Sequence, residues 1–230
     1  NIGAMHHDRG DHEQALTIFD RALGLARELK DQRVIGGLLL NLGVVIIGQG
    51  DAQQARAYFE ESLDLMSRIG DKQHIALIKR GMAILALHER QPEAALTLIT
   101  ECLATLRKPK GDVYLGSALI SLGEILFALG DLVGAIAAFQ EALSILIAIK
   151  KPQPIADALY WLANALRRQG NTTPVAVLVK AADTIAQRYD LRFPRHNPDF
   201  DTALLSTGDL ISLPLPDREH PLEWEHASLT

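Results

Sequence analysis

The residues that could do chemistry in this chain are sparse, and their spacing argues against most of the chemistry they suggest. His6, His7 and His12 resemble a metal cluster in composition. Adjacent histidines on a helix diverge by about 100°, and His12 lies beyond a turn, so the three do not converge on one ion. His88-Glu89 opens like a zinc-protease helix, but the position that needs the second histidine holds Pro92. Gly43 to Gly48 has the span of a phosphate loop, yet Gln49-Gly50 stands where lysine and a hydroxyl are required. No serine, histidine and acid grouping has the spacing of a triad. The single cysteine, Cys102, excludes a disulfide framework and occupies a column of small residues that predicts a buried thiol. The net charge of −5 carries no basic stripe, so the segment is not expected to bind nucleic acid. Neither a catalytic centre, a metal nor a cofactor is expected.

What positions the side chains is a repeat. Gly10-Asp11, Gly50-Asp51, Gly130-Asp131 and Gly170-Asn171 recur at an interval of forty, and Arg90-Gln91 fills the vacant slot. Five residues past each turn come Ala15, Ala55, Ala95, Ala135 and Val175, and four later Phe19, Phe59, Ile99, Phe139 and Val179. A further column reads Leu23, Leu63, Leu103, Leu143 and the discordant Asp183. Before the turns stand Asn1-Ile2-Gly3, Asn41-Leu42-Gly43, Gly81-Met82-Ala83, Ser121-Leu122-Gly123 and Trp161-Leu162-Ala163. A fixed period in this range marks a stacked array whose units cannot bury their apolar faces alone. With 48% hydrophobic but only 5% aromatic residues, the composition suits closely spaced helices.

Leu42-Gly43, Ile46, Gly50-Asp51, Ala55, Phe59 and Leu63 resemble the tetratricopeptide repeat pattern. The usual period is 34 residues. The longer unit is similar to the variant of kinesin light chains, of spindle-orientation adaptors, and of the C-terminal arms of bacterial regulators built on a nucleotide-switching ATPase. The resemblance implies an all-α fold, an α-solenoid of stacked antiparallel helix hairpins wound into a right-handed superhelix. It also shows departures. Leu39, Lys79, Leu119 and Leu159 replace the family's early tryptophan, and the third unit lacks its turn glycine.

First helices are expected at 1–9, 33–49, 73–89, 113–129 and 153–169, and second helices at 11–29, 51–69, 91–107, 131–149 and 172–190. The array thus spans 1–190 as a partial first hairpin followed by four hairpins. Asp31, Asp71 and Asp112 stand at N-cap positions, and Pro152 and Pro154 fall at a helix entry. Beyond 190, Pro194, Pro198, Pro214, Pro216 and Pro221 predict a proline-rich tail over 191–230, with one further helical turn or two at 200–206. The tail's Leu210, Ile211, Leu213, Leu215, Leu222 and Trp224 are candidates to cover apolar surface of the array. The apolar run 34–48 reads as too short for a membrane span and as a helix with two covered faces. No signal peptide pattern is visible, which points to the cytoplasm. A chain opening on Asn1 within a repeat points to a portion of a longer protein.

In the family the first helix of each hairpin lines the concave surface. Helical spacing from Leu42-Gly43 then assigns to that surface Leu40, Asn41, Val44 and Ile47 early, Leu77, Arg80, Ile84, Ser121, Glu124 and Phe127 in the middle, and Tyr160, Trp161, Asn164, Arg167 and Arg168 late. In peptide-binding relatives the asparagine at the place of Asn41 bonds a ligand backbone, and Asn1 and Asn164 repeat the amide. Arg80, Arg167 and Arg168 suit a carboxylate or phosphate, or else a solvated helical face. Tyr160 and Trp161 suit a stacking platform or the core. The leading expectation is a protein-interaction and sensing arm of a larger signalling or transcriptional regulator, binding a protein, a peptide or a second copy of itself. A free-standing adaptor bridging two proteins and an array sensing a small molecule are the alternatives.

Overall fold

The computed structural model describes Gly3, residues 11–107, 113–189 and Leu191. The expected first helix at 1–9 apart from Gly3, the cap Asp112, and the proline-rich tail lie outside the described residues. Within them the chain is helical: α1 His12–Glu28, α2 Gln32–Gln49, α3 Ala52–Ile69, α4 Lys72–His88, α5 Pro92–Leu106, α6 Val113–Leu129, α7 Leu132–Ala148, α8 Pro152–Gln169 and α9 Val175–Tyr189. The last starts later than the repeat interval predicts, because Asn171 to Pro174 form a turn first.

Local chemistry sets the boundaries. Gly50, Gly130 and Gly170 end α2, α6 and α8 in the left-handed conformation that glycine adopts without a Cβ penalty. Arg90 holds the same slot with φ 60° and so carries the strain the glycines avoid. Asp31 and Asp71 accept from backbone N–H groups at the starts of α2 and α4, as expected, and Asp51 and Asp131 do the same for α3 and α7.

Successive helices pair as hairpins, α2 with α3, α4 with α5, α6 with α7 and α8 with α9. Each hairpin closes where a small residue meets a large one. A Cβ built on Gly43 would lie 2.5 Å from the Phe59 ring, and one on Gly123 would collide with Phe139. Where the large residue is Ile99 or Val179, the facing column holds Ala83 or Ala163, all four buried. Gly3 meets Phe19 in the same way, continuing the register into the unit before α1. Ser62, fully buried, donates to the carbonyl oxygen of Gly36, so its hydroxyl is satisfied within the interface.

Between hairpins the first helices touch in sequence, α2 to α4, α4 to α6 and α6 to α8. They form the tighter, inner layer of the stack. Outside it, ion pairs link one second helix to the next, Arg27 to Glu61 at 3.0 Å and Arg107 to Glu141 at 2.9 Å. The helix carrying the apolar run is α2, and its 18 residues make it long and apolar enough to cross a membrane by length and composition alone, longer than the run suggested. In the array it is a packing helix, with Ile35, Gly36, Leu39, Leu42, Gly43, Val45, Ile46 and Ile47 buried.

Candidate functional site

The inner layer differs in character along its length. At the α2 end the half-buried Leu40, Asn41 and Val44 present a mostly apolar strip, continued on α4 by Ile84. Ile47, assigned to the surface from spacing, is 6% exposed and belongs to the core with Ile46, Ala55 and Phe59. Leu77 is likewise buried. The helix turns these two toward its packing partners, and they offer a ligand nothing.

Further along, charge enters the interior. Arg80 on α4 has its Nε buried without a hydrogen-bond partner. Burial lowers its pKa, opposed by nearby Cys102, Glu124 and Tyr114. On α6, burial first and the like charge of Asp157 on α8 second, opposed by Arg80, together push the Glu124 carboxyl up to about 8. At neutral pH Glu124 is therefore mostly a neutral acid, able to donate as well as accept. Burial also raises the Cys102 thiol to about 11, with Arg80 and Lys79 opposing, so it is an unreactive packing thiol as its column predicts. Ser121 is 5% exposed and turns its hydroxyl back onto the Ser117 carbonyl, so it belongs to the core.

On α8 one stripe runs through Gln153, Asp157, Trp161, Asn164 and Arg168, at helical spacings of four and three. Asn164 is buried, with Oδ1 lacking a partner, and Gln153 Oε1 is buried and unpartnered too. Gln153 and Asp157 were not singled out from the sequence. Asp157 stands forty-residue steps from Gly37, at a position that spacing assigns to the inner surface, and this was the signal available. Trp161 is half-buried. Its ring stacks on Phe139 of the preceding hairpin at 6.3 Å and meets the edge of Phe127 at 5.7 Å, so it joins hairpins rather than standing free as a platform. Arg168 lies 4.9 Å over the face of Phe127. Tyr160 points to the second helix of its own hairpin, where its hydroxyl donates to Asp183, away from the rest of the stripe.

The structure thus brings Arg80, Glu124, Asp157 and Asn164 to the middle and late inner layer, and withdraws Ile47, Ser121 and Tyr160 into packing. Among the described residues no group of three or more histidine, cysteine, aspartate or glutamate residues could hold a metal ion. A pocket between α3, α4 and α5, lined by Arg56, Met82, Leu85 and Glu89 among others, holds only about 120 Å³. Small-ligand sites run to roughly 300–1,000 Å³.

Tetratricopeptide repeat models match residues 1–33, 34–108 and 80–152. No curated protein has a significantly matching sequence. The fold is similar to a Rap protein complexed with competence and sporulation factor, at 16% identity and TM-score 0.73 over 82% of this chain and 52% of that one. It is also similar to Bacillus thuringiensis PlcR in complex with the peptide PapR7 and DNA, at 11% identity and TM-score 0.70 over 82% and 68%. A third similar structure is a signal transduction ATPase with a tetratricopeptide repeat sensor from Pyrococcus horikoshii, at 17% identity and TM-score 0.61. There the match covers 82% of this chain and 29% of the other, so the chain spans about half of the Rap protein and under a third of the ATPase. With three models of one repeat family that together match residues 1–152, and a hairpin register built on small-large pairs, the chain belongs to the tetratricopeptide repeat family.

Proposed function

We propose that this array is the protein- or peptide-binding arm of a larger signalling or transcriptional regulator, and that it takes an extended segment along the inner layer of first helices. The observation that carries the reading is the uneven inner face: an apolar strip at Leu40, Val44 and Ile84 leads to buried, unpartnered polar atoms on Gln153 and Asn164. Unpartnered buried polar groups are costly in a binding-free fold and become favourable once a ligand supplies the missing bonds. A tetratricopeptide fold is generally a non-catalytic interaction scaffold, and the similar Rap and PlcR structures are complexes with a factor or peptide. Leu40, Asn41, Val44, Arg80, Ile84, Glu124, Phe127, Trp161, Asn164 and Arg168 line or support the proposed path. On this reading the arm works in the cytoplasm with no cofactor and no membrane contact, and nucleic acid is left to other parts of the regulator. A second copy of the chain is a further candidate partner.

The test is capture of a partner by the intact parent protein, repeated with Asn41→Ala combined with Arg168→Glu, two positions that are not core. Loss of the partner with unchanged helicity supports the inner face. Retention at full affinity moves the interface to the outer helices or the tail.

A further inference from the structure

We infer that the exposed face of α1 docks a second copy of the chain, the two α1 helices crossing antiparallel about a two-fold axis at Gly24-Leu25 and pairing Arg21 with Glu28 of the second copy. The stack itself shows what this face of a second helix does. In α3, Glu61 takes the ion pair from Arg27 of α1, and Leu65 packs against the core of the hairpin before it, beside Ala15, Phe19 and Leu23. Two units on, in α7, Glu141 takes Arg107 of α5, and Ile145 is half-buried. A turn further along these helices, Ile69 and Ile149 are half-buried as well. The corresponding residues of α1 are Arg21, Leu25 and Leu29, and there the leucines stand 62% and 79% exposed. α1 thus presents, open, the surface that later second helices bury against their neighbours.

Charge decides which helix fits. Where Glu61, Glu101 and Glu141 stand in their units, α1 has Arg21, so its occupant must bring an acid. The last second helix, α9, which a head-to-tail copy would offer, has Gln187 at the place of Arg27 and supplies none. α1 supplies one itself. Glu28 lies seven positions from Arg21, two turns along the same helical face, and both are exposed. An antiparallel crossing therefore sets Arg21 of each copy against Glu28 of the other, with its midpoint between Gly24 and Leu25. A Cβ built on Gly24 meets nothing within 4 Å, whereas those on Gly43, Gly81 and Gly123 each run into a phenylalanine ring. Leu25 of one copy then seats over Gly24 of the other, the same small-large pairing that closes the hairpins. Such an isologous contact is complete at two copies. It lies on an outer helix, separate from the inner face, so either reading can fail alone.

Sedimentation velocity of the full 230-residue chain, from low to high micromolar concentration, is the test. The expected result is a monomer–dimer equilibrium. Leu25→Glu, Arg21→Glu and Glu28→Arg should each weaken the dimer about tenfold or more, with helicity unchanged because all three positions are exposed. Combining Arg21→Glu with Glu28→Arg exchanges the pair on both copies and should restore the parent affinity. A chain that stays monomeric, an assembly that grows beyond two copies as head-to-tail stacking would, a dimer indifferent to Leu25→Glu, or an exchanged double variant as weak as the single ones would each overturn the inference. Partner capture that depends on Asn41 and Arg168 reads the inner face and is unaffected by any of these outcomes.

Discussion

The hydroxyl of Tyr160 on α8 donates to the carboxylate of Asp183 on α9, and the two residues are irregular in their columns together. Where other units place Leu40, Arg80 or Ile120, this one has Tyr160, and where they place leucine it has Asp183. The discordant aspartate is thus one half of a bond inside the last hairpin.

Removing the phenol should expose that dependence. Tyr160→Phe leaves a half-buried carboxylate short of a donor and should cost about 1–3 kcal/mol. Adding Asp183→Leu to Tyr160→Phe restores the family column and should recover most of the loss. Denaturant midpoints of the two variants decide it; a double variant no better than the single would show the bond to be incidental.

The small-large pairs make a second prediction. Phe139→Ala should cost roughly 3–5 kcal/mol, since the ring is fully buried. Gly123→Ala should also destabilise, by about 1–3 kcal/mol, because the new Cβ meets the same ring. Combining Gly123→Ala with Phe139→Ile reproduces the pairing of Ala83 and Ile99 found one unit earlier. Thermal melts should place the pair above Gly123→Ala alone, and additive losses would contradict the exchange.

Glu124 gives the chain a pH dependence of definite sign. Because the folded chain holds this proton more tightly than the unfolded one, its contribution to stability is greatest below the unfolded value of 4.5. It declines as pH rises toward about 8 and levels off beyond. Each unit crossed within that window removes up to about 1.4 kcal/mol. Glu124→Gln should flatten the decline and raise stability at pH 8, measured by urea unfolding at several pH values; parallel profiles for the two proteins would refute it.

At the turn after α4, Arg90 stands in a left-handed conformation that three other units give to glycine. Arg90→Gly should stabilise by about 0.5–1 kcal/mol, the relief of Cβ strain outweighing the extra freedom glycine has when unfolded. The converse change, Gly130→Ala, should destabilise at φ 85°. Melting temperatures that fail to move in opposite directions would place the strain elsewhere.

Much of the fold was legible because it rests on local and periodic features: turn glycines, aspartate caps, and an alanine-phenylalanine interval repeated every forty residues. Expected helix positions fall within a few residues of α1 to α9, with the largest departure at α9, where Pro174 delays the start. The site was legible only in part. Spacing on one helix says which way a side chain leaves its axis, and it brought Arg80, Glu124 and Asn164 forward. It does not say what a neighbouring helix puts in front of that side chain. Trp161 meets Phe139 and Tyr160 meets Asp183 for that reason, and Arg80 and Glu124 act on each other across a gap of 44 positions that no local rule connects.

Phe59 fits against Gly81 of the next hairpin, where a built Cβ would lie 2.7 Å from its ring, whereas Phe139 receives the Trp161 indole at the corresponding joint. Bonds inside a hairpin, such as that of Tyr160 to Asp183, move with it when a unit is duplicated or transplanted. Joints between hairpins do not. A copy of α8 and α9 grafted behind α3 would drive an indole into the space that Gly81 leaves for a phenyl ring, so units that share one register are not interchangeable parts, and the order of hairpins is itself encoded.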